Sequence, residues 1–123
     1  MGAEPTIGAL AHHPQPVTQP EDITLMARGV SAPEGDAIIK VEFYLDSDGG
    51  GKWDPEDAVL GTDTWEGDGW SLTISSDKVP MGAQVLFARA QGENAGWSPA
   101  AESRVTVKPP EGGGFIEAGV IST

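Results

Sequence analysis

The sequence predicts an all-β protein, an antiparallel β-sandwich of about seven strands, and three observations predict it. Several short runs alternate apolar and polar residues with a period of two, the pattern of a strand with one face on a core. No run carries a helical 3.6-residue period over roughly ten residues or more. Turn signals rich in Gly and Pro (17 and 10 in 123 residues) separate the runs at spacings of roughly eight to twelve residues, as in sandwich folds.

The elements follow in order. Residues 6–10 are apolar and read as an edge strand, followed by an extended connection around Pro14, Pro16 and Pro20. Residues 23–30 alternate as a strand, and 31–36, with Pro33 and Gly35, form a turn. The strongest pattern spans 38–45: Ile39, Val41, Phe43 and Leu45 share one face, Lys40 and Glu42 the other. A shorter strand covers 58–64, a tight turn 66–69, and a clean alternation 70–75. Residues 78–82 turn, 85–90 form an apolar strand whose inward face the pattern leaves open, 92–96 make a hairpin-like loop, and 104–108 close the fold. The domain therefore spans 5–109. Residues 1–4 read as a linker or the start of an excised fragment, and 110–123 as a flexible tail or the opening of a next module.

Composition narrows the function classes. The hydrophobic share of 38% supports a folded core. A net charge of −12 disfavours nucleic acid and anionic membrane surfaces, both of which attract basic faces. No apolar stretch approaches the roughly 18 residues of a membrane span. With no cysteine, disulfides, thiolate metal sites and cysteine nucleophiles are excluded.

The most informative stretch is 46–57, Asp-Ser-Asp-Gly-Gly-Gly-Lys-Trp-Asp-Pro-Glu-Asp. Its acids Asp46, Asp48, Asp54 and Asp57 occupy positions 1, 3, 9 and 12 of a twelve-residue loop with Gly51 at position 6, the spacing that surrounds Ca²⁺ with oxygen ligands. Gly50 stands where a fifth acid or amide is expected, and Asp57 is shorter than the usual Glu. The expectation is weak Ca²⁺ binding, with Kd of roughly 10⁻⁴ to 10⁻³ M. A solvated acidic face is the plainer alternative.

Other constellations point away from catalysis. His12 and His13 lie in the Pro-rich approach with no third ligand nearby in sequence and read as solvated linker. They are the only histidines, and no serine has nucleophile-elbow spacing. The crowded carboxylates lack the second wall of a glycosidase cleft. Among the four tryptophans, Trp70 alternates with Leu72 and Ile74 and belongs to the core, whereas Trp53, Trp65 and Trp97 fall in or beside loops. On the plainer reading Trp53 and Trp65 cap the rim of the sandwich; on the other, these three offer flat faces to a sugar.

The order of motifs resembles bacterial immunoglobulin-like modules, some called cadherin-like, that repeat in large secreted and cell-surface proteins. The matching pieces are 23–30, Val41-Glu42-Phe43-Tyr44, the acidic loop, Leu60-Gly61-Thr62-Asp63, Gly69-Trp70-Ser71 and Phe87-Ala88-Arg89-Ala90. The resemblance implies an immunoglobulin-like sandwich with metal ligands at Asp46, Asp48, Asp54, Asp57 and the Lys52 backbone carbonyl. Gly50 departs from its pattern, and its second acidic turn appears only as Gly92-Glu93-Asn94-Ala95. The expected function is a non-catalytic extracellular or cell-surface spacer, structural or adhesive. Its partners would be neighbouring modules of the same polypeptide, other surface proteins or polysaccharide. The alternative is a carbohydrate-binding accessory module using Trp53, Trp65 and Trp97.

Overall fold

The computed structural model describes residues 4–47, 52–64 and 69–110. Nine strands are present among them: β1 (Ala9–His13), β2 (Val17–Thr18), β3 (Asp22–Arg28), β4 (Ile38–Leu45), β5 (Ala58–Asp63), β6 (Trp70–Ser75), β7 (Gly82–Gly92), β8 (Gly96–Trp97) and β9 (Ala101–Lys108). A 3₁₀ turn, Ser76–Lys78, joins β6 to β7. No helix among the described residues is long and apolar enough to cross a membrane.

The strands form two sheets. One has the order β1-β3-β6, the other β2-β9-β7-β4-β5, with β8 added on β7. Alternation decides what each contributes to the core. Ile23, Leu25 and Ala27 of β3 merge in one buried cluster with Val41, Phe43 and Leu45 of β4, Leu86, Ala88 and Ala90 of β7, and Val105 and Val107 of β9. Each large apolar side chain buried this way stabilises the fold by about 1.5–3 kcal/mol. Trp70, Leu72 and Ile74 pack against the same cluster, as their spacing predicts.

Four expectations are corrected. Ile39 does not face the core. Ile38 pairs with Gly92 and Lys40 with Gln91, so a bulge intervenes, and one extra residue sends every side chain before it to the opposite face. Ile39 is consequently 44% exposed. The first strand is not 6–10: the Gly8 N–H donates to both the Arg28 and Gly29 carbonyls, and regular pairing starts only at Ala9. Thr6 keeps an isolated bridge to Ser31, while His12 and His13 belong to β1 rather than to a linker. Finally, not every pair is antiparallel, because β2 runs parallel to β9.

β7 measures the length of the fold. At one end, a Cβ on Gly92 would fall 3.2 Å from the ring of Pro5. At the other, Gly82 pairs with Val107. The strand's 11 residues set these ends roughly 33 Å apart at about 3.3 Å per residue. The described chain therefore enters at the Gly92 end and leaves at the Gly82 end.

The Gly92 end is tied by Asp36. Its carboxylate accepts the backbone N–H groups of Asn94 (3.0 Å) and Ala95 (2.9 Å) and the Asn94 side-chain amide (3.1 Å). It also presses so closely on Gly92 that no side chain fits there. The acid serving the 92–95 turn thus comes from the β3–β4 connection, not from the turn itself. Burial pushes the Asp36 pKa up, but hydrogen bonds from Ala37, Ala95 and Asn94 outweigh it and hold the carboxyl below its ordinary 3.8. A depressed carboxyl pKa contributes stability above the unfolded-state value and loses it as pH falls through the folded value. The stability difference between wild type and Asp36→Ala should therefore be constant at neutral pH and shrink below about pH 4 in urea titrations.

Candidate functional site

The acidic loop leaves β4 at a buried carboxylate and returns to β5 at another, Asp46 and Asp57. The Asp46 N–H donates to the Val85 carbonyl (2.9 Å), which continues the β4–β7 pairing into the loop. Asp57 closes it. One carboxylate oxygen accepts the Ser47 N–H and the other the Asp54 N–H, both at 3.0 Å, and its own N–H donates to the Asp54 carbonyl (3.1 Å). Asp54 accepts the Glu56 N–H at 2.9 Å, and the Ser47 hydroxyl bridges the Leu45 carbonyl and the Ala58 N–H. Charged acceptors on backbone amides are the stronger class of hydrogen bond, worth about 1.5–3 kcal/mol each.

Of the predicted metal ligands, Asp46, Asp54 and Asp57 stand in this closure and Lys52 is exposed, while Asp48 lies outside the described residues. Among the described residues no three His, Asp or Glu converge as ligands of one cation would. Each Asp57 oxygen accepts one backbone amide and retains a further lone pair.

The loop also supplies Trp53, which folds onto the outer face of the larger sheet. Its ring meets Tyr44 edge to face, with centroids 5.5 Å apart. The Arg89 guanidinium lies 3.9 Å from the Trp53 centroid and 5.1 Å from that of Trp97, and the Lys40 ammonium is 5.4 Å from Trp97. Arg89 is aimed by its Nε–H, which donates to the Ser98 carbonyl (3.1 Å). Ser98 is itself locked: its hydroxyl accepts the Ala90 N–H and donates to the Pro99 carbonyl. Cation–π contacts of this kind contribute about 0.5–2 kcal/mol each.

Beneath this ladder, Tyr44 and Phe87 pair across β4 and β7 and are only 4% and 2% exposed, although both point away from the main core. The Tyr44 hydroxyl donates to Glu42 at 2.6 Å. Burial, then the Glu42 carboxylate, push the phenol pKa well above its usual value, and Arg89 opposes them only in part.

The structure thus brings Trp53 and Trp97 together around Arg89, while Trp65 lies outside the described residues. Cations lie over both indoles. Sequence reasoning missed Arg89, Ser98 and Asp36. None left a signal in the sequence: Arg89 stands opposite Glu42 only once β4 and β7 are paired. An open hollow of about 250 Å³ on the smaller sheet, lined by Thr24, Met26, Arg28, Trp70 and Ser71 among others, contains no carboxylate or histidine.

No family model matches the chain, and no curated protein matches it. Among solved structures it is similar to the fibronectin(III)-like modules of CbhA from Clostridium thermocellum, with a TM-score of 0.66 and 17% identity. That match covers 94% of this chain and 52% of the other, so the chain spans about half the length of that structure. The likeness is one of fold. Superoxide reductase (neelaredoxin) from Ignicoccus hospitalis matches with a TM-score of 0.52 and 17% identity over 83% of this chain and 82% of its own. A putative superoxide reductase from Thermotoga maritima matches at 0.53 and 16% identity, over 88% of each chain. This chain's two histidines are adjacent on β1, and His12 is bonded to Ser103 and Gln15.

If Arg89 holds both indoles, Arg89→Ala should red-shift tryptophan emission and lower stability by about 2 kcal/mol in urea unfolding. Unchanged emission would place the rings elsewhere.

Proposed function

We propose that the chain is an immunoglobulin-like β-sandwich serving as a non-catalytic spacer, structural or adhesive, in an extracellular or cell-surface protein. The observation that carries this reading is the placement of Pro5 and Val107 at opposite ends of β7. Such a domain passes the chain straight through, so that neighbouring modules of one polypeptide extend a rod. The likeness to a fibronectin(III)-like module supports the same reading. So does the internal use of the polar side chains. Carboxylates, cations and indoles of the acidic loop and outer face are matched to one another or to backbone amides rather than converging on an open cleft.

Calcium belongs to this proposal as an addition to the 46–57 loop. Asp46, Asp48, Asp54, Asp57 and the Lys52 carbonyl would hold it, and Asp57 would have to share oxygens now given to the amides of Ser47 and Asp54. Such a ligand stabilises by mass action, so 10 mM Ca²⁺ at a Kd of about 1 mM raises the melting temperature by a few degrees. A flat melt removes calcium and leaves the spacer.

The spacer itself is tested by joining two copies head to tail through residues 109–123 and measuring small-angle scattering. The expected maximum dimension approaches the sum of two domain lengths. A compact, folded-over pair contradicts the reading.

A further inference from the structure

β3 sends its side chains to two faces. Ile23, Leu25 and Ala27 belong to the buried cluster, so Thr24, Met26 and Arg28 alternate onto the outer face of the smaller sheet. β6 lies alongside, with Ser71 opposite Met26 and Thr73 opposite Thr24. Trp70, the first residue of β6, is half-buried against the core cluster, and it also walls the hollow that Thr24, Met26, Arg28 and Ser71 line. At about 250 Å³ this hollow lies below the roughly 300–1,000 Å³ of sites for drug-sized ligands, which leaves room for a single ring.

Its walls combine three kinds of group. Trp70 and Met26 supply apolar surface. The Thr24 hydroxyl shares one hydrogen bond with that of Thr73 (2.9 Å), and two hydroxyls so joined keep one O–H and further lone pairs for a ligand. Arg28 supplies charge. Of the three arginines, Arg104 lies 3.3 Å from Glu102, and Arg89 is fixed between two indoles and the Ser98 carbonyl. Arg28 is exposed and, among the described residues, pairs with no carboxylate. The Asp63 carboxylate accepts the Ser71 N–H (2.8 Å) but is not part of the lining.

We propose that this hollow binds one uronate ring, a sugar carrying a carboxylate, either free or at the end of a polysaccharide. A guanidinium meets a carboxylate with two parallel N–H donors. The C–H face of a sugar needs an apolar wall, and its hydroxyls need partners that both donate and accept, as Thr24 and Ser71 do. A neutral sugar would leave Arg28 unused, and an aromatic acid would leave the hydroxyls unmatched. The net charge of −12 repels an anion at long range, but at physiological salt charges beyond roughly 8 Å are largely screened, so the direct contact with Arg28 decides. The inference goes beyond the spacer reading and does not depend on it.

Titration of the full chain with glucuronate, followed by NMR at about 0.15 M salt, tests this. The Trp70 indole N–H and the amides of Met26 and Ser71 should shift with a Kd on the order of 1 mM, the strength open to so small a ligand. The Trp53 and Trp97 indoles should not move. Glucose, which lacks the carboxylate, should bind about tenfold more weakly, and so should glucuronate to Arg28→Gln, whose exposed position leaves the fold intact. A trisaccharide ending in glucuronate distinguishes the sources: a gain of about tenfold assigns the hollow to a polysaccharide end, and equal affinity assigns it to the ring alone, each in support of the site. Acetate or benzoate matching glucuronate, an unchanged Kd in Arg28→Gln, or no shift at about 10 mM glucuronate overturns the proposal. Shifts at Trp53 and Trp97 in place of Trp70 overturn it as well.

Discussion

Asp57 decides what the acidic loop is. A run of carboxylates this dense repels itself, and something must pay that cost if the loop is to be ordered. Here the last acid of the run turns back and takes two backbone N–H groups from the loop's own two arms, those of Ser47 and Asp54. The chain's amides act as the counter-charge. With the arms pinned, Trp53 is delivered to the sheet face, where Arg89 and Tyr44 receive it. Without that closure the aromatic ladder has no upper rung, and Tyr44 loses its edge-to-face partner on the outer face.

This coupling engages the indoles and charges of the described outer face with one another. On this face Arg89 is spent between two rings and the Ser98 carbonyl, and Glu42 accepts from Tyr44 and Thr62. Asp36 does the same at the Gly92 end, where it accepts the Asn94 and Ala95 amides of a turn that carries Glu93. Both arrangements tie connections between strands, as the proposed spacer would require.

Strands with one wet face were legible in the sequence. Residues 38–45 and 70–75 were bounded correctly because their alternation runs without interruption between turn residues. The face of Ile39 was not legible, since a bulge is a property of two strands together and the partner, β7, lies some fifty residues away. The direction of β7 was equally hidden: Phe87 on its outer side is as buried as Leu86 on its inner side, so the pattern carries no sign. The acidic loop announced itself by composition, but its closure did not. Asp57 pairing with Ser47, Asp36 with Asn94, and Gln15 with Thr106 are matters of distance in space, and spacing along the chain does not encode them.

The claim that the loop is closed by its own amides is tested most directly by hydrogen exchange at Ser47 and Asp54, followed by NMR with a chelator present throughout. The account predicts that both N–H groups are protected without any cation, and that Asp57→Ala abolishes the protection at both while amides in the middle of β4 keep theirs. Free exchange at Ser47 and Asp54 in chelator, with protection appearing only on adding calcium, would contradict it.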